Sequence, residues 1–162
     1  MSEVITLDIN SPPVQYLCKK DKCLAKVIAM IGPITYTTHE DEPYAFLIHE
    51  IIEQMLSEKA GNKIFERFTE LCGGNITPRI VSTLTEEQIK STGTSINKVR
   101  YIKSLTDALL VEDISLDAFR DYHDEDIIKD LTSIKGIGQW TAKMFLIFVL
   151  NRDDILPCCD IT

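Results

Sequence analysis

Leu131 to Asp160 reads LTSIKGIGQWTAKMFLIFVLNRDDILPCCD. This stretch decides the fold. It predicts a helix end, a tight glycine turn, a long apolar helix, a loop and then a carboxylate. Gly136 and Gly138 flank Ile137. Glycine permits positive φ and lets another backbone approach closely. Residues Gln139 to Leu150 are apolar almost throughout and suit a buried helix. A glycine turn that feeds a helix N-terminus leaves backbone N–H groups without intrahelical acceptors. Such groups attract anions, phosphate among them.

Composition bounds the rest. With 162 residues the chain makes one domain or two closely joined lobes. Hydrophobic residues make up 44% and charged residues 26%, ordinary values for a globular protein. No run of eighteen apolar residues appears, so no membrane span is expected. Met1 to Asn10 lacks the pattern of a secretory signal. The expected location is therefore cytoplasmic or nuclear. The five cysteines, Cys18, Cys23, Cys72, Cys158 and Cys159, form no Cys-x-x-Cys pair and read as free thiols. His39 and His49 have no metal-ligand spacing, and no metal site is expected. The net charge of −8 argues against a general nucleic-acid coat. Any contact with nucleic acid has to be local.

Outward from the hairpin, the pattern is helical. Ser11-Pro12-Pro13 opens a first helix with serine as its cap, ending at Gly32-Pro33. Ile34 to Glu42 is polar and reads as a loop. Pro43 opens a helix with Phe46, Leu47, Ile48, Ile51, Ile52, Met55 and Leu56 in a broad apolar stripe. Further helices are expected over Glu58 to Leu71, from Thr85 to near Gly93, over Ser95 to Leu110, and over Asp124 to Leu131. No segment alternates like an exposed strand. The fold class is all-α.

These residues carry a resemblance. The chain resembles the helix-hairpin-helix DNA glycosylases, and within them the short 3-methyladenine DNA glycosylase II branch. Ile51-Ile52-Glu53-Gln54-Met55-Leu56-Ser57 is similar to the family's Ile-Ile-Gly-Gln-Gln-Leu-Ser. Thr77-Pro78 and the Thr85-Glu86-Glu87 helix start precede Gly93-Thr94-Ser95-Ile96-Asn97-Lys98, which matches the family's Gly-x-Ser-x-x-Lys. Lys135-Gly136-Ile137-Gly138-Gln139-Trp140-Thr141-Ala142 and the distant Pro157-Cys158-Cys159-Asp160 complete the series. The match runs from about Asp41 to Asp160.

The resemblance implies a base-excision repair enzyme that hydrolyses the N-glycosidic bond of alkylated purines in duplex DNA. Asp160 would be the catalytic carboxylate, stabilising positive charge on the sugar or orienting a water. Its other reading is a cap for a following helix. Gly136, Ile137 and Gly138 would hold a DNA phosphate, with a monovalent cation on the backbone carbonyls. Lys135, Lys143, Ser95 and Lys98 would add DNA contacts. In lyase relatives a nucleophilic lysine takes the second position after the last hairpin glycine; here it is Trp140, which forms no Schiff base. A monofunctional enzyme without lyase activity is implied. Trp140 would line the base pocket, with Tyr36, Tyr44 and Phe46 as further aromatic faces. Met55 would be the wedge that fills the hole left by an extruded base. Trp140 and Met55 also read as ordinary core residues. Glu53 stands where the family has glycine and would repel DNA.

Family members continue past the acid with further helices, whereas this sequence stops at Thr162. The expectation is a single C-terminally truncated helical domain over 1–162, with about 1–40 as an N-terminal lobe segment and about 41–162 as the helix-hairpin-helix lobe. On its own it should release bases weakly or not at all. The alternative function is an inactive helix-hairpin-helix module that binds DNA or another protein.

Overall fold

The computed structural model describes residues 3–40, 42–111 and 114–157. The chain divides into two units, Met1–His39 and Glu40–Thr162. The proposed catalytic Asp160 lies outside the described residues.

The first unit corrects two readings. A short antiparallel ribbon pairs β1 (Val4–Leu7) with β2 (Ile34–Thr37), in the register Val4↔Thr37 to Leu7↔Ile34. The expected loop after Gly32-Pro33 is therefore a strand. Its four residues are too few for period-two alternation to be told from a polar loop, and its partner lies thirty residues earlier. Thr38 closes the ribbon: its hydroxyl accepts from Glu3 N at 2.9 Å and its N–H donates to Glu3 O at 2.8 Å. The expected first helix is two, α1 (Pro12–Lys20) and α2 (Lys22–Ile31). Asp21 breaks it. With an extended backbone, its carboxylate accepts from Cys23 N and Leu24 N, capping the second helix. Ser11 occupies the first cap position, but its hydroxyl bonds to Asp8 instead.

Among its described residues the second unit forms helices joined by turns and loops, with no strand. Its elements are α3 (Pro43–Glu53), α4 (Glu58–Leu71), α5 (Pro78–Thr83), α6 (Glu86–Ser91), α7 (Ile96–Leu110), a 3₁₀ turn (Ala118–Asp121), α8 (Asp124–Ser133) and α9 (Gln139–Phe148). None of these helices, nor those of the first unit, is long and apolar enough to cross a membrane. The axis of the core is α3. Leu47, Ile48, Ile51 and Ile52 are fully buried, and the helix packs on α4, α7 and α9. Phe145 of α9 takes Phe46 and Phe119 edge-on, at ring separations of 6.4 and 6.1 Å. Local signals start the short helices. Thr77 caps α5, while Thr85 and Gln88 form a reciprocal capping box on α6. Lys103 of α7 reaches the carbonyls of Val81, Ser82 and Leu84 and satisfies the end of α5.

One partly buried acid, Glu50, is expected to make stability depend on pH. Burial, with Glu53 beside it, raises the pKa of Glu50 above its ordinary 4.5, while His49 opposes the shift. A raised folded-state value means stability that is complete below the unfolded pKa and declines as pH rises through the folded one. Glu50→Gln removes that loss. Its melting temperature is expected to exceed the parent's at pH 7 and to match it near pH 3. An equal gain at both pH values would show that ionisation is not the cause.

Candidate nucleic-acid interface

The hairpin is built by one turn and two glycines with different jobs. Helix α8 ends at Ser133, and Ile137 N donates to Ile134 O at 3.1 Å, closing a four-residue turn. The third residue of that turn, Gly136, has φ +97°. A Cβ there would lie 2.2 Å from Cγ of Tyr101, so the turn is pressed against the α7 ring. Ile137 then pins the turn into the core at 4% exposure. Gly138 differs on every count. Its φ of −94° suits any residue, it is exposed, and a Cβ would meet nothing within 4 Å. It is the N-cap of α9 and brings no side-chain cap, so the N–H groups of the first turn are left for an outside acceptor. Lys135, inside the turn, is exposed.

Among the hairpin carbonyls, Ile134 O accepts from Ile137 N and Gly136 O from Gln54 Nε2 at 2.9 Å. Each carbonyl oxygen retains a second lone pair.

The turn between α3 and α4 stands beside the hairpin. Met55 is 90% exposed and adopts φ +59°. For a residue with a side chain this conformation costs roughly 1–3 kcal/mol and persists only when neighbours impose it. The neighbours are identifiable. The Gln54 side chain ties the turn to the hairpin through Gly136 O, and Leu56 N donates to Glu53 O at 2.9 Å. Lys98 Nζ donates to Ile52 O at 2.7 Å and to Gln54 O at 2.6 Å, capping the C-terminal end of α3. Burial holds the Lys98 ammonium below the usual lysine pKa. Ser95 caps α7 by accepting from Lys98 N.

The structure thus brings together Gly136, Ile137, Gly138, Met55 and Lys98. The other candidates are placed differently. Trp140 is half-buried on the second position of α9 and packs on the core. Lys143 donates to Leu156 O at 3.1 Å, which ties α9 to the segment that leads towards Asp160. Tyr44 and Phe46 are 5% and 7% exposed; the Tyr44 hydroxyl is bonded to Thr106 Oγ1 at 2.8 Å within the core. Tyr44 also borders a cleft of about 360 Å³ between the start of α3 and the end of α4, which shares no residue with the hairpin or the Met55 turn. Tyr36 belongs to the first unit, on β2. Glu53, read as repulsive to DNA, is packed against α4: a Cβ on Gly61 would sit 2.6 Å from its Cγ, and its Oε1 lies 3.6 Å from His49 Nε2. His49, Glu50 and Glu53 bring potential ligand atoms within 4.8 Å of one another, but His49 Nε2 already bonds Asn62 Oδ1 at 3.0 Å. Sequence reasoning missed two residues of the site. Tyr101 had no signal at all. Gln54 lay within the quoted Ile-Ile-Glu-Gln-Met-Leu-Ser segment but was given no role.

The fold and this site define a helix-hairpin-helix protein whose glycine turn is coupled to a neighbouring exposed loop. More narrowly, the chain belongs to the HhH-GPD superfamily of base excision DNA repair proteins, whose family model matches residues 48–162. It is 35% identical over 144 residues to DNA-3-methyladenine glycosylase 1 of Schizosaccharomyces pombe, a match that covers 87% of this chain and 63% of that protein. It is 32% identical over 153 residues to the alkylbase DNA glycosidase-like protein mag2 of the same yeast, covering 91% of this chain and 72% of that protein. Among solved structures, the S. pombe 3-methyladenine DNA glycosylase Mag1 in complex with abasic DNA superposes with a TM-score of 0.83 at 33% identity, over 91% of this chain and 74% of that one. The DNA-3-methyladenine glycosidase of Bacillus halodurans gives the same TM-score at 30% identity, over 97% and 72%. The chain thus spans a little under two thirds of the length of the first of these relatives.

Proposed function

We propose that this protein is a monofunctional base-excision glycosylase that hydrolyses the N-glycosidic bond of alkylated purines in duplex DNA, inside the cell. The observation that carries the reading is the open face of Gly138. A helix N-terminus without a cap, fronted by a glycine with nothing near its α-carbon, leaves room for a phosphodiester to reach backbone N–H groups. Lys135 adds one exposed positive charge beside it. The hairpin carbonyls retain lone pairs for a monovalent cation, which would add positive charge to the phosphate contact.

The rest of the chemistry follows the residue types. Met55, solvent-exposed on a constrained turn, enters the duplex as the base leaves. Trp140 offers the leaving base an aromatic face, attractive to the positively charged ring of an alkylated purine. Asp160 stabilises the oxocarbenium-like sugar, and a water completes hydrolysis. The nucleophilic position holds Trp140, which cannot attack the sugar, so the product is an intact abasic strand.

The test is incubation of a chain that continues past Thr162, as the relatives' chains do past their matching residues, with purine-methylated duplex DNA. Free methylated base should appear, the strand should stay uncut until treated with alkali, and borohydride should trap no protein–DNA adduct. A trapped adduct would show an amine nucleophile and overturn the monofunctional assignment. Binding to the duplex with no base released would identify the protein as a binding module.

A further inference from the structure

We infer that Lys98 is a positioning residue for the Met55 wedge and not a phosphate ligand. It forms one unit with Gln54 that couples the wedge to the phosphate-binding hairpin. The inference rests on the DNA-glycosylase reading for what Met55 does, but not for what Lys98 touches.

The ammonium of Lys98 is committed within the protein. Two of its three N–H groups go to Ile52 O and Gln54 O, at 2.7 and 2.6 Å. These carbonyls belong to the end of α3, where the helix leaves acceptors unsatisfied and cations are favoured. The next residue is Met55, at φ +59° with an almost wholly exposed side chain. A methionine has no intrinsic reason to hold that conformation. It is held from both sides: Lys98 fixes the carbonyl of Gln54, and the Gln54 amide donates to Gly136 O in the hairpin. Gly136 in turn is seated on Tyr101, three residues along α7 from Lys98. The wedge turn, α7 and the hairpin are therefore linked in a closed ring of contacts. A phosphate seated at the hairpin fixes the register of Met55 against the duplex.

Salt dependence separates the two roles of Lys98. Neutralising one phosphate contributes about 0.9 to the slope of log Kobs against log salt. The probe is a duplex with a tetrahydrofuran abasic site opposite 2-aminopurine, whose fluorescence rises when the base is unstacked. Lys98→Met is expected to keep the parent's salt slope yet lose most of the fluorescence rise. The double variant with Met55→Ala should do no worse than Met55→Ala alone. Lys98→Arg provides a milder second variant. It keeps the charge but replaces a single ammonium nitrogen with a planar fork, and should also lose the rise. In the free protein, amide exchange of Leu56, bonded to Glu53 O, should quicken in both variants. A slope lower by about 0.9, with fluorescence and Leu56 protection retained, would overturn the inference and return Lys98 to the phosphate contacts. Quickened exchange together with a full fluorescence rise in Met55→Ala would uphold the positioning role and remove Met55 as the wedge.

Discussion

Gly136→Ala is expected to lower stability by about 3–5 kcal/mol, while Gly138→Ala stays within about 0.5 kcal/mol of the parent. The two glycines sit two residues apart in the same turn. At Gly136 two penalties add. A left-handed backbone costs a non-glycine residue about 1–2 kcal/mol, and an overpacked methyl adds about 1–3 kcal/mol. The second penalty falls at the upper end, because the added carbon would approach Tyr101 Cγ to 2.2 Å and its Cβ to 2.5 Å. Neither term applies at Gly138, where φ is −94° and the space is open. Against a typical folding free energy of about 5–15 kcal/mol, the first change is severe. Urea denaturation of both variants measures the contrast. In a Tyr101→Ala background the added cost of Gly136→Ala should shrink to the backbone term alone. Binding should show the reverse order. Gly138→Ala fills the room left for a phosphate and is expected to weaken duplex affinity by a similar factor on damaged and undamaged DNA, since phosphate contacts carry little base information. A Gly136→Ala protein with the parent's stability would refute the assignment of the turn.

In a chain that continues past Thr162, Asp160→Asn is expected to slow single-turnover base release by about 10²–10³-fold, with duplex affinity changed less than about twofold. A unit negative charge about 4 Å from a developing positive one contributes about 4 kcal/mol at an effective dielectric of 20. That energy corresponds to about a thousandfold in rate. The amide keeps the size of the carboxylate but not its charge, so the loss should appear in the chemical step and not in binding. The cation that the carboxylate stabilises exists only near the transition state, and substrate affinity is therefore spared. Release near the parent's rate would remove Asp160 from the chemistry.

Much of the second unit follows from local rules. The i, i+4 bonds of a helix and the apolar stripe of α3 are properties of short windows, and Leu47, Ile48, Ile51 and Ile52 are buried as their spacing predicts. Thr77, Thr85 and Ser95 cap helices with their own neighbours. Gly136-Ile137-Gly138 between two helical stretches announced a turn, because glycine permits the positive φ that Gly136 adopts. The family, too, was legible in the spacing of these short segments.

Long-range packing decided the rest. Whether Ile34–Thr37 is a loop or a strand depended on Val4–Leu7, thirty residues away. Tyr44 and Phe46 read as pocket aromatics because both suit stacking, but their helix turns them inward, onto Thr106 and Phe145. The sequence places a cation at Lys98; it does not say whether that cation meets a phosphate or a carbonyl. The answer lies in Ile52 and Gln54, more than forty residues away, and only the fold brings them within 3 Å of it. A residue's identity determines which bonds it can make, and chain topology determines which partners arrive.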